Sequence, residues 1–152
     1  MDQWWQWSQN DLLDLVYENC QGDMMVVGNS QLVGKVSIRQ KRVRPSLCGL
    51  PRAYTQFTTC HEGYTKSASE ASWFAVDNFT MPYKEKDQTG ASCVAGRFAS
   101  YDSAGHQVFL PQDKTSAAAM LEDLYNYEWL GHQTRAVIVE FVLFHAPSNL
   151  FR

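Results

Sequence analysis

Apolar and polar positions alternate in ways that divide the chain into a few periodic segments. From Ser8 to Cys20, Leu12, Leu13, Val16 and Tyr17 recur at helical spacing, with Ser8 as cap, Asp11 in the first turn and Gly22 beyond the end. The run Lys35 to Arg44 is rich in strand-forming residues; a period of two sets Val36, Ile38, Gln40 and Arg42 on one face and Ser37, Arg39, Lys41 and Val43 on the other. Arg97 to Tyr101 and His106 to Leu110 flank Asp102-Ser103-Ala104-Gly105, a pattern that predicts a hairpin. Ala117, Met120, Leu121, Leu124 and Tyr125 predict a second helix, with Thr115 or Ser116 as its cap. Arg135 to His145 holds two apolar runs interrupted only by Glu140, as a strand covered on both faces would.

Between these segments, from Pro45 to about Ser92, the composition turns to Pro, Gly, Ser, Thr and Lys with isolated aromatics. A structureless loop of that length is uncommon in a compact domain, so an extended excursion with its own staples is expected. Cys48 and Cys60 can close a short loop there, worth about 3 kcal/mol in the loop-entropy picture. Asn78-Phe79-Thr80 is a glycosylation sequon in the same stretch. The order of segments predicts an α+β fold: an antiparallel sheet flanked by helices on one side, with a protruding disulfide-stapled loop excursion.

Composition narrows the function classes. The chain has 152 residues, 45% hydrophobic and 19% charged, a balance that supports a folded core in a single domain over residues 1–152. The net charge of -3 argues against nucleic acid as a partner, which demands a strong cationic field. That charge averages over the Lys35 to Arg44 strand, which holds five of the 13 basic side chains. Such a strand reads either as an edge protected by its charges or as a site for an acidic partner. No apolar run approaches the roughly 20 residues of a membrane helix, and Met1 to Trp7 lacks the basic and apolar regions of a signal peptide. Trp4, Trp5 and Trp7 read either as an arm packed on the core or as an interface or membrane-adjacent anchor.

Candidate chemistry is sparse. The four cysteines form no C-x-x-C pair; Cys48, Cys60 and His61 fit tetrahedral zinc spacing poorly, and Cys20 and Cys93 form a second bridge or stay as thiols. His61, His106, His132 and His145 fall in no nucleophile, metalloprotease or phosphate-loop motif. An enzyme, a metal site and a cofactor are not expected.

Four blocks resemble the polycystin family of cation channels. They are Trp4-Trp5-Gln6-Trp7 with Leu12 to Tyr17; Ile38 to Arg44 with Cys48 just after; Ala99 to Gly105; and Trp129-Leu130 through Thr134-Arg135-Ala136-Val137 to Asn149-Leu150-Phe151. They follow the family's order from residue 4 to residue 151, and the stretch Ile38 to Arg44 is most similar to the polycystin-2 type. The chain departs at Gly131, where an acidic residue is usual, and at His106, where a tyrosine is typical.

The resemblance implies the extracytosolic (TOP) domain between the first two transmembrane helices of a tetrameric, calcium-permeable cation channel. Such domains form a ring above the pore and influence assembly and gating. Implied partners are neighbouring polycystin domains in a homo- or heterotetramer and the membrane through flanking helices. Implied location is the extracellular or luminal face of the plasma membrane, cilium or endoplasmic reticulum. The resemblance also implies a Cys48–Cys60 staple and structural positions at Trp5, Arg39, Arg42, Arg44, Tyr101, Gly105, Trp129, Thr134, Arg135 and Phe151; Arg39, Arg42 and Arg135 are expected to be partly buried and paired with carboxylates or carbonyls. A secreted or cell-surface ligand-binding module is the alternative that the sequon, the cysteine loop and Tyr64, Trp73 and Tyr83 suggest.

Overall fold

The structure is a computed structural model that describes residues 2–17, 25–26, 30–49, 58–72, 74–76, 79–148 and 150–151; at 25–26, 74–76, 79–80 and 146 it describes the backbone alone. It is α+β. A six-stranded antiparallel sheet carries the fold, with helices and a disulfide-bridged loop segment. The chain divides into two compact units, one of Met1–Ile38, Val108–Leu130 and Val139–Arg152, the other of Arg39–Gln107 and Gly131–Ile138.

The first unit opens on a continuous helical segment: α1 (Asp2–Trp7), a π-helical turn (Ser8–Leu12) and α2 (Leu13–Tyr17). The helix therefore starts six residues before the expected cap. Asp2 occupies its first turn, and Ser8 is buried inside it with Oγ donating to the Trp5 carbonyl at 3.0 Å. The tryptophans are drawn into the helix because Trp5 continues the apolar stripe of Leu12, Leu13, Val16 and Tyr17, all buried. The Trp5 ring meets Tyr125 edge-on at 5.6 Å, and Trp4 lies 6.5 Å from Trp129. Trp4 and Trp5 are thus packed on their own unit, while Trp7 is exposed.

The second long helix, α4 (Lys114–Asn126), is capped by Asp113 and not by Thr115 or Ser116; the Asp113 carboxylate accepts from the Ser116 amide at 2.8 Å. The extended backbone of Asp113 lets its short side chain reach that amide, and the N-terminal dipole favours its charge over a hydroxyl. Ala117, Leu121 and Leu124 face inward, and α4 packs on α2 and the π turn. At the other end Glu128 takes a left-handed conformation (φ 48°), and the amides of Glu128 and Trp129 reach back to the carbonyls of Tyr125 and Leu124. This paired closure ends the helix and turns Trp129, 1% exposed, into the core.

The sheet combines β1 (Met25–Val26), β2 (Ser30–Arg42), β7 (Tyr83–Lys84), β10 (Gly105–Phe109), β11 (Thr134–His145) and β12 (Leu150–Phe151) in the order β12-β11-β2-β10-β7, with β1 also on β2. The cationic strand is therefore no solvated edge; it is interior, and every residue from Val36 to Lys41 is buried, which erases the expected alternation. β11 follows the expected segment closely and is partly buried along nearly its whole length, with Val142 exposed. The hairpin expected across Asp102 to Gly105 does not form. Instead β9 (Ser100–Tyr101) pairs with β8 (Val94–Ala95), while β10 pairs with β7, because the loop between them is held elsewhere by the interactions described below.

The excursion resolves into small pieces: β3 (Ser46–Leu47) on β4 (Thr59–Cys60), β5 (Phe74–Val76) on β6 (Phe79–Met81), and a one-turn α3 (Lys86–Thr89). Among the described residues no helix is long and apolar enough to cross a membrane.

Left-handed backbone costs an L-residue with a Cβ about 1–2 kcal/mol, so Glu128→Gly should stabilise the chain, by about 1 kcal/mol or less once the added freedom of the unfolded glycine is offset. A urea midpoint that falls would show that the Glu128 side chain contributes more than its backbone costs.

Candidate functional site

The second unit is organised by three consecutive buried residues of β2. Arg39 and Gln40 are fully buried and Lys41 is 1% exposed, so this strand carries two cations where a core would ordinarily be apolar. Each has partners. Arg39 donates one guanidinium nitrogen to the Asp102 carbonyl and another to the Ser92 carbonyl at 2.9 Å. The Lys41 ammonium lies 2.5 Å from Asp102 Oδ1, also donates to the Ala104 carbonyl, and sits 5.7 Å from the centre of the Tyr64 ring. Gln40 donates to the Thr134 hydroxyl at 2.6 Å.

The loop that supplies these acceptors is shaped for close approach. Gly105 has φ +146°, and a Cβ there would lie 2.8 Å from the Gln40 carbonyl oxygen and 3.2 Å from Arg39 Cγ. Only glycine allows β10 to start against β2 at this point. Tyr101, buried, packs on Tyr64 with ring centres 4.9 Å apart.

The electrostatics follow from this packing. Burial alone would raise the Asp102 carboxyl, but the hydrogen bond and charge of Lys41, with the Lys86 ammonium 3.6 Å away, hold it below its ordinary value. Burial lowers Lys41 against the pull of Asp102. His106, fully buried, is lowered by burial despite its contact with the Ser72 carbonyl, to which Nε2 donates at 2.9 Å. Its ring meets Tyr83 edge-on at 5.4 Å.

A second set of contacts mounts the stapled segment. Cys48 and Cys60 are disulfide-bonded with Cα atoms 4.9 Å apart, within the usual span. Arg135 donates to the carbonyls of His61 and Glu62 at 2.8 and 2.7 Å, and to those of His132 and Thr134. Arg42 donates to the Gln133 side chain, and Arg44, exposed, donates to the carbonyls of Ser67 and Ser69. Thr134 also accepts from the Gly131 amide at 3.1 Å, closing the turn before β11.

Of the positions singled out in the sequence, Arg39, Arg42, Arg44, Tyr101, Gly105, Thr134, Arg135, Cys48 and Cys60 share this unit. Trp5, Trp129 and Phe151 lie in the other, where the Phe151 ring is 5.0 Å from Phe144 and largely exposed. The partners of the arginines are carbonyls and one amide, with no carboxylate among the bonds given above. The second bridge is not made: Cys93 is an exposed free thiol, set on the surface stretch before β8, and Cys20 lies outside the described residues, as does Asn78. Sequence reasoning missed Lys41 and Asp102 as a pair. Their signal was faint: a lysine inside a strand of arginines and an aspartate read as a turn residue. Among the described residues no group of three His, Cys, Asp or Glu is placed to hold a metal.

Removing one member of a buried ion pair strands the other, at about 3–5 kcal/mol. Asp102→Asn should therefore lower stability by roughly that much at neutral pH, measured by urea unfolding. Because the folded carboxyl is depressed, its contribution is present above the unfolded value of about 4 and is lost as pH falls through the folded one. The parent should lose stability as pH drops below about 4, and the variant should lose less over that window. Equal acid sensitivity in both would contradict the assignment.

Comparison with known proteins places this arrangement. A family model described as the polycystin domain matches residues 1–152. Polycystin-2-like protein 1 of Homo sapiens is 27% identical over 99% of this chain and 20% of its own length. Polycystin-1-like protein 3 of Mus musculus is 30% identical over 99% of this chain and 7% of its own, and polycystin-2 of Danio rerio 25% over 99% and 18%. The chain spans about a fifth or less of the length of these relatives. With its whole length matched, the chain belongs to the polycystin domain family.

Proposed function

We propose that the chain is the extracytosolic domain of a polycystin-type, calcium-permeable cation channel, where it joins subunits into a tetramer and modulates gating without catalysing a reaction. The whole-chain match to the polycystin domain carries this reading. The geometry supports it. A short strand pair, β3 on β4, is bridged by Cys48–Cys60 and clamped by Arg135, and Leu47 of β3 is 89% exposed. A bridged and clamped strand pair that carries a bare leucine is suited to dock on a neighbouring subunit, because little ordering entropy is left to lose there. A disulfide suits the oxidising face of a membrane, where Asn78 would be glycosylated. Ion passage belongs to pore helices, and this domain influences it through how the subunits sit.

The test joins the chain to the remainder of a polycystin-2-like protein in place of that protein's own polycystin domain. Tetramers on native gels and cation currents are expected. Cys48→Ser and Leu47→Asp should each reduce tetramer yield and current at equal expression. Tetramers and currents that persist when the domain is deleted outright would overturn the proposal.

A further inference from the structure

A cleft of about 370 Å³ opens beside the buried ion pair, a size in the usual range of small-molecule sites. Tyr64 and Phe98 supply aromatic surface, Lys66 and Lys86 supply cations, and Ser100 and Asp102 supply short polar groups. Lys41, behind the Tyr64 ring, and Lys86 already compensate the one carboxylate, so the field in the cleft is positive.

The aromatic walls differ in a way that suggests an occupant. Tyr64 is held in place by Tyr101 and Lys41. Phe98 is 88% exposed at the tip of the β8–β9 hairpin, which the Gly96 amide closes on the Ala99 carbonyl at 2.9 Å, and the Arg97 guanidinium lies 5.6 Å from its ring centre. The folded core makes no use of a ring so placed. The cations stand on three separate segments, as ammonium point charges and one guanidinium. Among the described residues that line the cleft, no glycine-rich cradle of amides concentrates charge on a single phosphate group.

We propose that this cleft binds an acidic saccharide, a sugar chain bearing sulfate or carboxylate groups. The C–H face of a pyranose ring would lie on Phe98 and Tyr64, its hydroxyls would reach Asp102 and Ser100, and its dispersed negative groups would meet Lys66, Lys86 and Arg97. Asp102 is pre-oriented for this role, because Lys41 fixes one of its oxygens at 2.5 Å. The site is a property of the chain itself and does not rest on the channel reading.

The test is calorimetric titration of the 152-residue chain with a sulfated, uronic-acid-containing tetrasaccharide of heparin type, at about 0.15 M salt so that long-range attraction is screened. Saturable one-to-one binding is expected. Lys66→Glu and Phe98→Ala, both exposed and so without consequence for folding, should each weaken it about tenfold, the first by losing a charge-assisted contact and the second by losing the aromatic face under the sugar ring. Lys35→Glu, an exposed cation of the other unit, should leave it unchanged. The proposal is overturned by absence of saturable binding, by equal loss in Lys35→Glu, or by Phe98→Ala binding as the parent does. Equal affinity for inorganic sulfate or a nucleoside triphosphate would also overturn it, since neither presents a sugar chain. Failure here would leave channel assembly untouched, and failure of assembly would leave this binding measurable.

Discussion

Lys41 against Asp102 is the constraint from which the second unit follows. An ammonium taken out of water is tolerable only if a carboxylate and further acceptors go with it, so the loop after β9 must descend onto β2 and stay there. Arg39 draws on the same loop through the Asp102 carbonyl, so two cations share one short stretch of backbone. Once the loop is committed in this way, Gly105 is dictated by the approach of the Gln40 carbonyl, and Tyr101 is placed where it can pack on Tyr64. The strand pairing that local sequence would favour gives way to this arrangement. Buried charge here stabilises less by its own attraction than it penalises every other geometry.

That is why the interior half of the fold was hardest to read in the sequence. α4 was legible because its burial is apolar and periodic, so Leu121 and Leu124 reveal the inward face directly, and β11 because its two β-branched and aromatic runs favour a strand. The Cys48–Cys60 bridge was legible because two cysteines in an otherwise coreless segment have few other uses. β2 misled: a run holding Arg39, Lys41 and Arg42 looks like surface until the partners are known, and those partners lie roughly fifty to ninety residues away. The caps failed for a smaller reason. Ser8, Thr115 and Ser116 are all good cap residues, and the choice falls to backbone conformation, extended at Asp113 and helical at Ser8.

The candidate site shows the same division. Arginines, glycine and cysteines were recognisable by type and position, whereas the acceptors they meet are mostly backbone carbonyls, which no sequence pattern marks. Lys66, Lys86 and Phe98 belong to different local segments, and only the fold makes neighbours of them.

The mounting of the stapled strand pair is redundant in kind. One tie is covalent; the others, from Ser46 to the Cys60 carbonyl and from Arg135 to its two carbonyls, depend on a folded backbone. The covalent tie changes what proteolysis means for this chain. A single cut anywhere between Cys48 and Cys60 would not release a fragment: both pieces would migrate as one until a reductant opened the bridge, so the chain could be nicked there and still reach its destination as one molecule.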